Sequence, residues 1–285
     1  MPWFAWLLSF SCFLAGCDAT MDMERKEAGK IMLGKKLFFE PLLSLEGNTS
    51  CATCHRPENG FAEPVKTRSV GFGIYRNTPG LWAVGQRKKL HWDGGVPDLE
   101  SQAVGPLQSM DELGLNLKMG VVRLKEDRFY QDAFQFVFGE EPDVSFLVQA
   151  LAAFQRSLDP LLHVSEEIIH SKNAHFTLFM KVGCGHCHTP PYFMKDDFVK
   201  WQTDTLDPGR GRITGFPDDM GKFRIPSLWA VGLTSPYFHD GRHASLKDAI
   251  LGHGAKMQTL SLSQTDSLVW FLKSLTPAIF PTTHF

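Results

Sequence analysis

The sequence has little of what would send it to a charged polymer or into a bilayer. Its 285 residues carry 29 Lys and Arg against 31 Asp and Glu, a net charge of −2 with histidine neutral. So weak a field excludes the electrostatic footprint of a nucleic-acid binder or of a protein drawn to an anionic membrane. Beyond Gly16 no apolar run is long enough to span a membrane. Strand signals are scarce. Cysteine is sparse too: of six, four fall in two short motifs, and the other two, Cys12 and Cys17, lie near the amino terminus. The body of the chain therefore has no disulfide framework to offer. An apolar content of 43% is that of a globular protein, and the length has room for two domains.

The two motifs are Cys51-Ala52-Thr53-Cys54-His55 and Cys184-Gly185-His186-Cys187-His188. A C-x-x-C-H run is the attachment signature of a c-type haem. One tight turn presents two thiols to the porphyrin vinyl groups and an imidazole to the iron. A redox C-x-x-C or half of a zinc site competes with this reading for a single copy. Two copies, with no other cysteine nearby, leave two covalently bound haems c as the expectation.

The apolar segment from Met1 to Gly16 (Trp3, Phe4, Trp6, Leu7, Leu8, Phe10, Phe13, Leu14) reads as a signal-peptide core, although it lacks the usual basic start. It ends Leu14-Ala15-Gly16-Cys17, which resembles a bacterial lipoprotein cleavage box with Cys17 as the lipidated residue. Ordinary signal cleavage beside an incidental Cys17 is the alternative. Either way the chain is expected on the periplasmic side, where c-type haem is attached. A polar tether, Asp18 to Met23, should follow. The next helix has Ala28, Ile31, Met32, Phe38 and Phe39 on one face and stops at Glu40-Pro41. Arg56 to His91 reads as loop. A short helix is expected from Pro97 to Val104, stopped by Pro106. Tyr130, Ala133, Phe134 and Val137 form one helical stripe. Leu147, Ala150, Leu151, Phe154 and Leu158 form another behind an Asp143 cap. Phe176, Phe179 and Met180 lead into the second motif, and Thr189 to Lys222 reads as a long loop. The last helix is expected to be capped by Ser263 with Asp266, ahead of Leu268, Phe271, Leu272 and Leu275.

The halves repeat beyond the motifs. Pro79-Gly80-Leu81-Trp82-Ala83-Val84-Gly85 matches Pro226-Ser227-Leu228-Trp229-Ala230-Val231-Gly232, and Asp93-Gly94 matches Asp240-Gly241. Leu99 then matches Leu246, and Gln102 falls opposite Ala249. The expected fold is mainly α with little β: two cytochrome-c-like haem domains related by internal duplication. Residues 18–160 form the first and 161–285 the second, after a leader of 1–17. Continuing the register sets Pro106 opposite His253. Proline cannot ligate iron and histidine can. His253 is thus the expected sixth ligand of the haem that His188 holds, with Met257 as its competitor, and the haem of His55 keeps an open face.

With these residues in view, the chain resembles the bacterial di-haem cytochrome c peroxidase superfamily, which includes the MauG-type enzymes. The resemblance rests on both haem motifs and on Arg76-Asn77-Thr78-Pro79, Trp92-Asp93-Gly94, Gln102-Ala103-Val104-Gly105-Pro106, Glu112, and Pro236-Tyr237-Phe238-His239-Asp240-Gly241. It implies that the haem of Cys51, Cys54 and His55 reacts with hydrogen peroxide, and that Cys184, Cys187 and His188 hold an electron-transfer haem. It implies that Glu112 and Gln102 line the open face and that Trp92 relays electrons. It also implies a calcium ion on the Asn77 side chain and the Thr234 and Pro236 carbonyls, oxygen donors that suit a hard cation.

Peroxide cleavage needs a proton moved between two oxygens, which a carboxylate such as Glu112 can do as base and then acid. Otherwise Glu112 is a solvated acid beside Asp111, Gln102 a loop cap and Trp92 a packing residue. Two departures stand out. Ser69-Val70-Gly71-Phe72-Gly73 carries no histidine to block the first haem, so no reductive activation is expected. And His253 stands where peroxidases commonly have methionine and MauG-type enzymes have tyrosine. The leading expectation is a peroxidase fed by a small cytochrome c or cupredoxin. A MauG-type oxidase acting on a partner protein, and a di-haem electron carrier, are the competing expectations.

Overall fold

The computed structural model describes residues 5–65, 67–71, 73–162, 174–201 and 207–277, with side chains described from Thr20 onward. Phe72 and the first four residues lie outside the described residues, as does 163–173 next to the expected domain boundary. The fold is mostly helical. Among the described residues, sheet is limited to two antiparallel pairs, Arg68–Ser69 with Tyr75–Arg76 and Phe198–Lys200 with Lys222–Arg224. Both pairs interrupt segments that read as loop in the sequence. They are too short to show a period of two.

The helices begin where side-chain oxygens satisfy their first amides. Asp98 caps Leu99–Gln108, Asn116 caps Leu117–Glu126, Asp127 caps Arg128–Phe138 and Asp143 caps Val144–Ser157. The last helix, Leu262–Ser274, is capped two residues earlier than expected. Ser261 accepts the Gln264 amide at 3.2 Å, and Gln264 accepts the Ser261 amide at 2.9 Å. That exchange leaves Asp266 exposed on the helix surface. Nor does Pro106 stop its helix. It lies inside Leu99–Gln108, in the last turn, where its missing N–H forfeits only the bond to the Gln102 carbonyl.

The amino-terminal helix differs most from expectation. It runs without a break from Ala5 to Phe38, so the expected tether is helical. Its buried face is Leu33, Gly34, Leu37 and Phe38, and Met32 stands 60% exposed. The reason is Gly34. A Cβ there would lie 1.8 Å from the Ala150 carbonyl oxygen, so this is where the helix crosses Val144–Ser157. The backbone-on-backbone approach rotates the apolar face away from Ile31 and Met32. Phe38, Phe61 and Phe154 then pack with ring centres 5.1–6.3 Å apart, forming a wall under the first haem motif.

Backbone details recur in the register of the sequence repeat. Ala83 and Ala230 both adopt the left-handed conformation before a 3₁₀ turn. The Ala83 amide donates to the Leu158 carbonyl at 2.9 Å and the Ala230 amide to that of Leu275 at 2.7 Å. Leu90 bridges Val96 as Tyr237 bridges His243. After the motifs, Phe61 and Phe193 both have positive φ.

The Gly34 crossing is directly testable. Gly34→Ala should destabilise the fold by roughly 1–3 kcal/mol, the usual cost of overpacking. Urea denaturation of the holoprotein reads it, and an unchanged midpoint would place the helix crossing elsewhere.

Candidate functional site

The Ser50 N-cap starts the single-turn helix Cys51–Cys54, which directs both thiols and His55 toward one cavity. His55 Nδ1 donates to the carbonyl of Phe61 at 2.8 Å, which leaves Nε2 as the free donor atom. Cys51 and Cys54 are not joined to each other. Burial pushes the Cys51 thiol up to about 12 and raises Cys54 as well. Thiols held this far from ionisation are poor redox nucleophiles. Among the described residues no group of three or more His, Cys, Asp or Glu completes a metal site around them. The donor set fits covalently attached haem.

The cavity has a volume of about 690 Å³. Gln102, Pro106 and Glu112 line it together with Cys51, Cys54 and His55, as do Ser69, Val70 and Gly71 from the loop that was expected to lack a blocking histidine. Glu112 reaches water through the mouth. Even so, desolvation by the surrounding walls, and then the charge of Asp111, hold its carboxyl above the usual range, while Arg68 opposes the rise. Arg68 is itself paired with buried Glu63.

At the second motif the two imidazoles face each other. The ring centres of His188 and His253 are 6.5 Å apart. Two imidazoles on opposite sides of one metal ion, each bonded at roughly 2 Å with its ring centre roughly 1.2 Å behind the nitrogen, would stand about 6.4 Å apart. His188 Nδ1 lies 3.2 Å from the Pro226 carbonyl and His253 Nδ1 2.6 Å from that of Ala249, so each ring turns its Nε2 away from the backbone. Burial, and then the nearby charge of His253, lower His188 to about 4, so it is the neutral form a ligand requires. Burial raises Cys184 to about 11. Trp201 and Phe238 pack on His253 at 5.3 and 5.1 Å. Met257 lies in the following turn, Ala255–Gln258.

Trp92 is buried between the halves. Its indole N–H donates to the Asn77 carbonyl at 2.8 Å, and its ring stands 6.4 Å from that of His239. The Asn77 side chain lies against the Pro236 carbonyl at 2.5 Å and the Phe238 carbonyl at 3.2 Å, while its buried Oδ1 has no partner. There Nδ2 donates to the two carbonyls, and the buried amide oxygen without a partner on the same side chain supplies the kind of donor a hard cation takes. Thr234 lines the same cavity.

Residues 28–161 match the family described as di-haem cytochrome c peroxidase. The methylamine utilization protein MauG of Methylorubrum extorquens is 36% identical over 81% of this chain and 71% of its own. The cytochrome c551 peroxidase of Pseudomonas aeruginosa is 32% identical over 85% of this chain and 77% of its own. The chain belongs to the di-haem cytochrome c peroxidase family. Among solved structures, a MauG-like protein associated with microbial copper homeostasis superposes with a TM-score of 0.74 at 27% identity, covering 88% of this chain and 90% of the other. The di-haem peroxidase BthA of Burkholderia thailandensis, at 20% identity and a TM-score of 0.70 over 89% and 88% of the two chains, shares the fold.

In this di-haem peroxidase the residues that hold the centre together were not visible as a site in the sequence. Arg76, 5% exposed, donates to both carboxylate oxygens of Asp207 at 2.8 and 2.9 Å and to Asp93 at 2.7 Å. Asp93 also takes Arg212 at 3.2 Å. Arg76 draws both carboxyls below their usual range against the desolvation that would raise them. A depressed carboxyl adds stability above its ordinary pKa and loses it as pH falls through the depressed value. Arg76→Met should therefore cost about 3–5 kcal/mol at neutral pH, by taking the guanidinium from buried Asp207 and leaving buried Asp93 to Arg212. The deficit should shrink toward acid. Denaturant unfolding of the holoprotein from pH 7 to pH 4 measures it, and a deficit that grows in acid would contradict the assignment.

Proposed function

We propose that this protein reduces hydrogen peroxide at the haem of the first motif and feeds that haem electrons through the second. The contrast between the two sites carries the reading. His55 enters a cavity that also holds Pro106, Gln102 and Glu112, whereas His188 faces a second imidazole at a spacing suited to one iron between them. That spacing favours His253 over Met257 as the sixth ligand. Bound haem supplies the redox-active iron at both sites.

The chain's residues do the rest. Gln102 orients the peroxide by hydrogen bonding. Glu112 would accept a proton from one peroxide oxygen and return it to the other, base and then acid. Pro106 keeps the first site open because it has no side-chain donor to offer. Trp92 carries electrons between the sites. Its N–H is bound to a backbone carbonyl, a weak proton acceptor, so an oxidised indole keeps its proton. Asn77 with the Thr234 and Pro236 carbonyls is the calcium site, and the orphaned Asn77 Oδ1 supports it. The recurring backbone features support duplicated haem domains at 18–160 and 161–285. Residues 1–17 act as an export signal, with lipidation at Cys17. The described residues include no helix long and apolar enough to cross a membrane.

One observation favours a second reading. The relative at 36% identity is named MauG, and an imidazole at position 253 lowers the potential of the second haem relative to a thioether. Peroxide would then oxidise residues of a partner protein, in place of a small cytochrome c or cupredoxin donor.

Stopped-flow peroxide consumption by Glu112→Gln tests the assignment. The rate should fall about 10²–10⁴-fold. In the wild type the rate should fall as pH drops through a value above the ordinary carboxylate range. Full activity in the variant would remove Glu112 from the chemistry. His253→Gly should turn the second haem high-spin, and a retained low-spin spectrum would return the ligand role to Met257.

A further inference from the structure

The place that Asn77 occupies has a counterpart across the molecule. Asn77 precedes the first Leu-Trp-Ala-Val-Gly copy by the same interval as Arg224 precedes the second. Their backbone contacts correspond. The Asn77 amide donates to the His239 carbonyl at 2.6 Å, and the Arg224 amide to the Trp92 carbonyl at 2.8 Å. Their side chains correspond too: Asn77 Nδ2 donates to the Phe238 carbonyl at 3.2 Å, and Arg224 Nε to that of His91 at 3.0 Å. Thr234, which lines the same cavity as Asn77, has Arg87 as its equivalent, and Arg87 donates to the Ile225 carbonyl at 2.7 Å. One side thus presents a neutral amide with an orphaned oxygen, and the other presents two guanidinium groups.

Those two groups are buried, Arg87 at 8% and Arg224 at 6% exposure. Both line the cavity that begins at the first haem motif. The other arginines on that cavity are matched by carboxylates: Arg76 by Asp93 and Asp207, Arg212 by Asp93, and Arg68 by Glu63. Among the described residues, Arg87 and Arg224 have only Asp196 between them. It lies 4.0 Å from Arg87 and is in part open to water. They also repel each other. Burial holds Arg224 down to about 10, and burial and then the charge of Arg224 hold Arg87 below its ordinary range. Two buried like charges on a cavity wall are costly unless something anionic completes them. Backbone carbonyls satisfy part of their hydrogen bonding and none of their charge.

We infer that Arg87 and Arg224 are the carboxylate-binding pair for the haem of the first motif, receiving its two propionate groups with built-in cations at the place whose counterpart is left for a metal ion. The inference rests on the di-haem reading. It deepens that reading by naming positioning residues that set the redox properties of one haem. Reduction adds one negative charge to the haem, so a nearby fixed cation favours the reduced form. The same cation keeps the propionates ionised.

The experiment is a spectroelectrochemical titration of the holoprotein between pH 5 and 8, with the high-spin and low-spin bands followed separately. Haem content comes first: fewer than two haems per wild-type chain would sink the di-haem reading itself. With two haems present, Arg224→Met should lower the potential of the high-spin haem. It should also give that haem a pH-dependent potential absent from the wild type, as a propionate begins to titrate. Arg224→Lys should keep both properties near wild type, which a purely structural role does not predict. Should Arg224→Met not accumulate with haem, Arg87→Gln is read by the same criteria. Haem-replete variants that titrate like the wild type overturn the inference. So does a shift confined to the low-spin haem, or one equal in the Lys and Met variants.

Discussion

The centre of the molecule depends on one buried ion cluster, Arg76 held between Asp93 and Asp207. Three charges with exposures of 5% or less are expensive to bury, and they are tolerable because the guanidinium is bonded to both carboxylates at 2.7–2.9 Å. Its consequences follow from chain connectivity. Asn77 is the next residue after Arg76, and Trp92 the one before Asp93. The cluster therefore fixes the indole, the carbonyl that accepts its N–H, and the amide aimed at the Pro236 and Phe238 carbonyls. Asp207, from the second half, makes this an attachment between halves, so the orientation of Trp92 and the joining of the halves rest on the same bonds.

Around that joint the two haem sites are built alike and finished differently. Each motif histidine has Nδ1 at a backbone carbonyl and Nε2 free, which is what an axial ligand needs. The difference lies in what approaches from the other side. At the second site a turn after Leu246–Leu251 returns His253 to face His188. At the first, the equivalent helix continues through Pro106 to Gln108 and presents no imidazole. In the proposed function, this one proline-for-histidine difference separates a reactive site from a relay. The charge around the cavity differs in the same way, with a neutral amide toward one side of the interface and two arginines toward the other.

Much of this was legible in the sequence, because the signals were local. The two C-x-x-C-H runs place thiols and imidazole within one turn. The stripes from Tyr130 to Val137 and from Leu147 to Leu158 became buried helix faces, and Asp143 caps as its position indicated. Position in the repeat singled out His253. What escaped depends on approach in space. Gly34 carries no apolar signal, yet it sets the helix crossing and rotates the buried face. The Ser261–Gln264 cap competed with an equally good pattern two residues on. Asp207 is 131 residues from Arg76, and no spacing rule joins them. Arg87 and Arg224 carry no sequence signal for burial, yet the fold buries both.

The central claim is that one haem is open and reactive at rest while the other is closed by two imidazoles. Low-temperature EPR of the fully oxidised protein, before and after stoichiometric hydrogen peroxide with no prior reduction, tests it most directly. One high-spin and one low-spin ferric signal, both lost at once on peroxide, is the predicted result. Two low-spin signals that persist through the addition would contradict it.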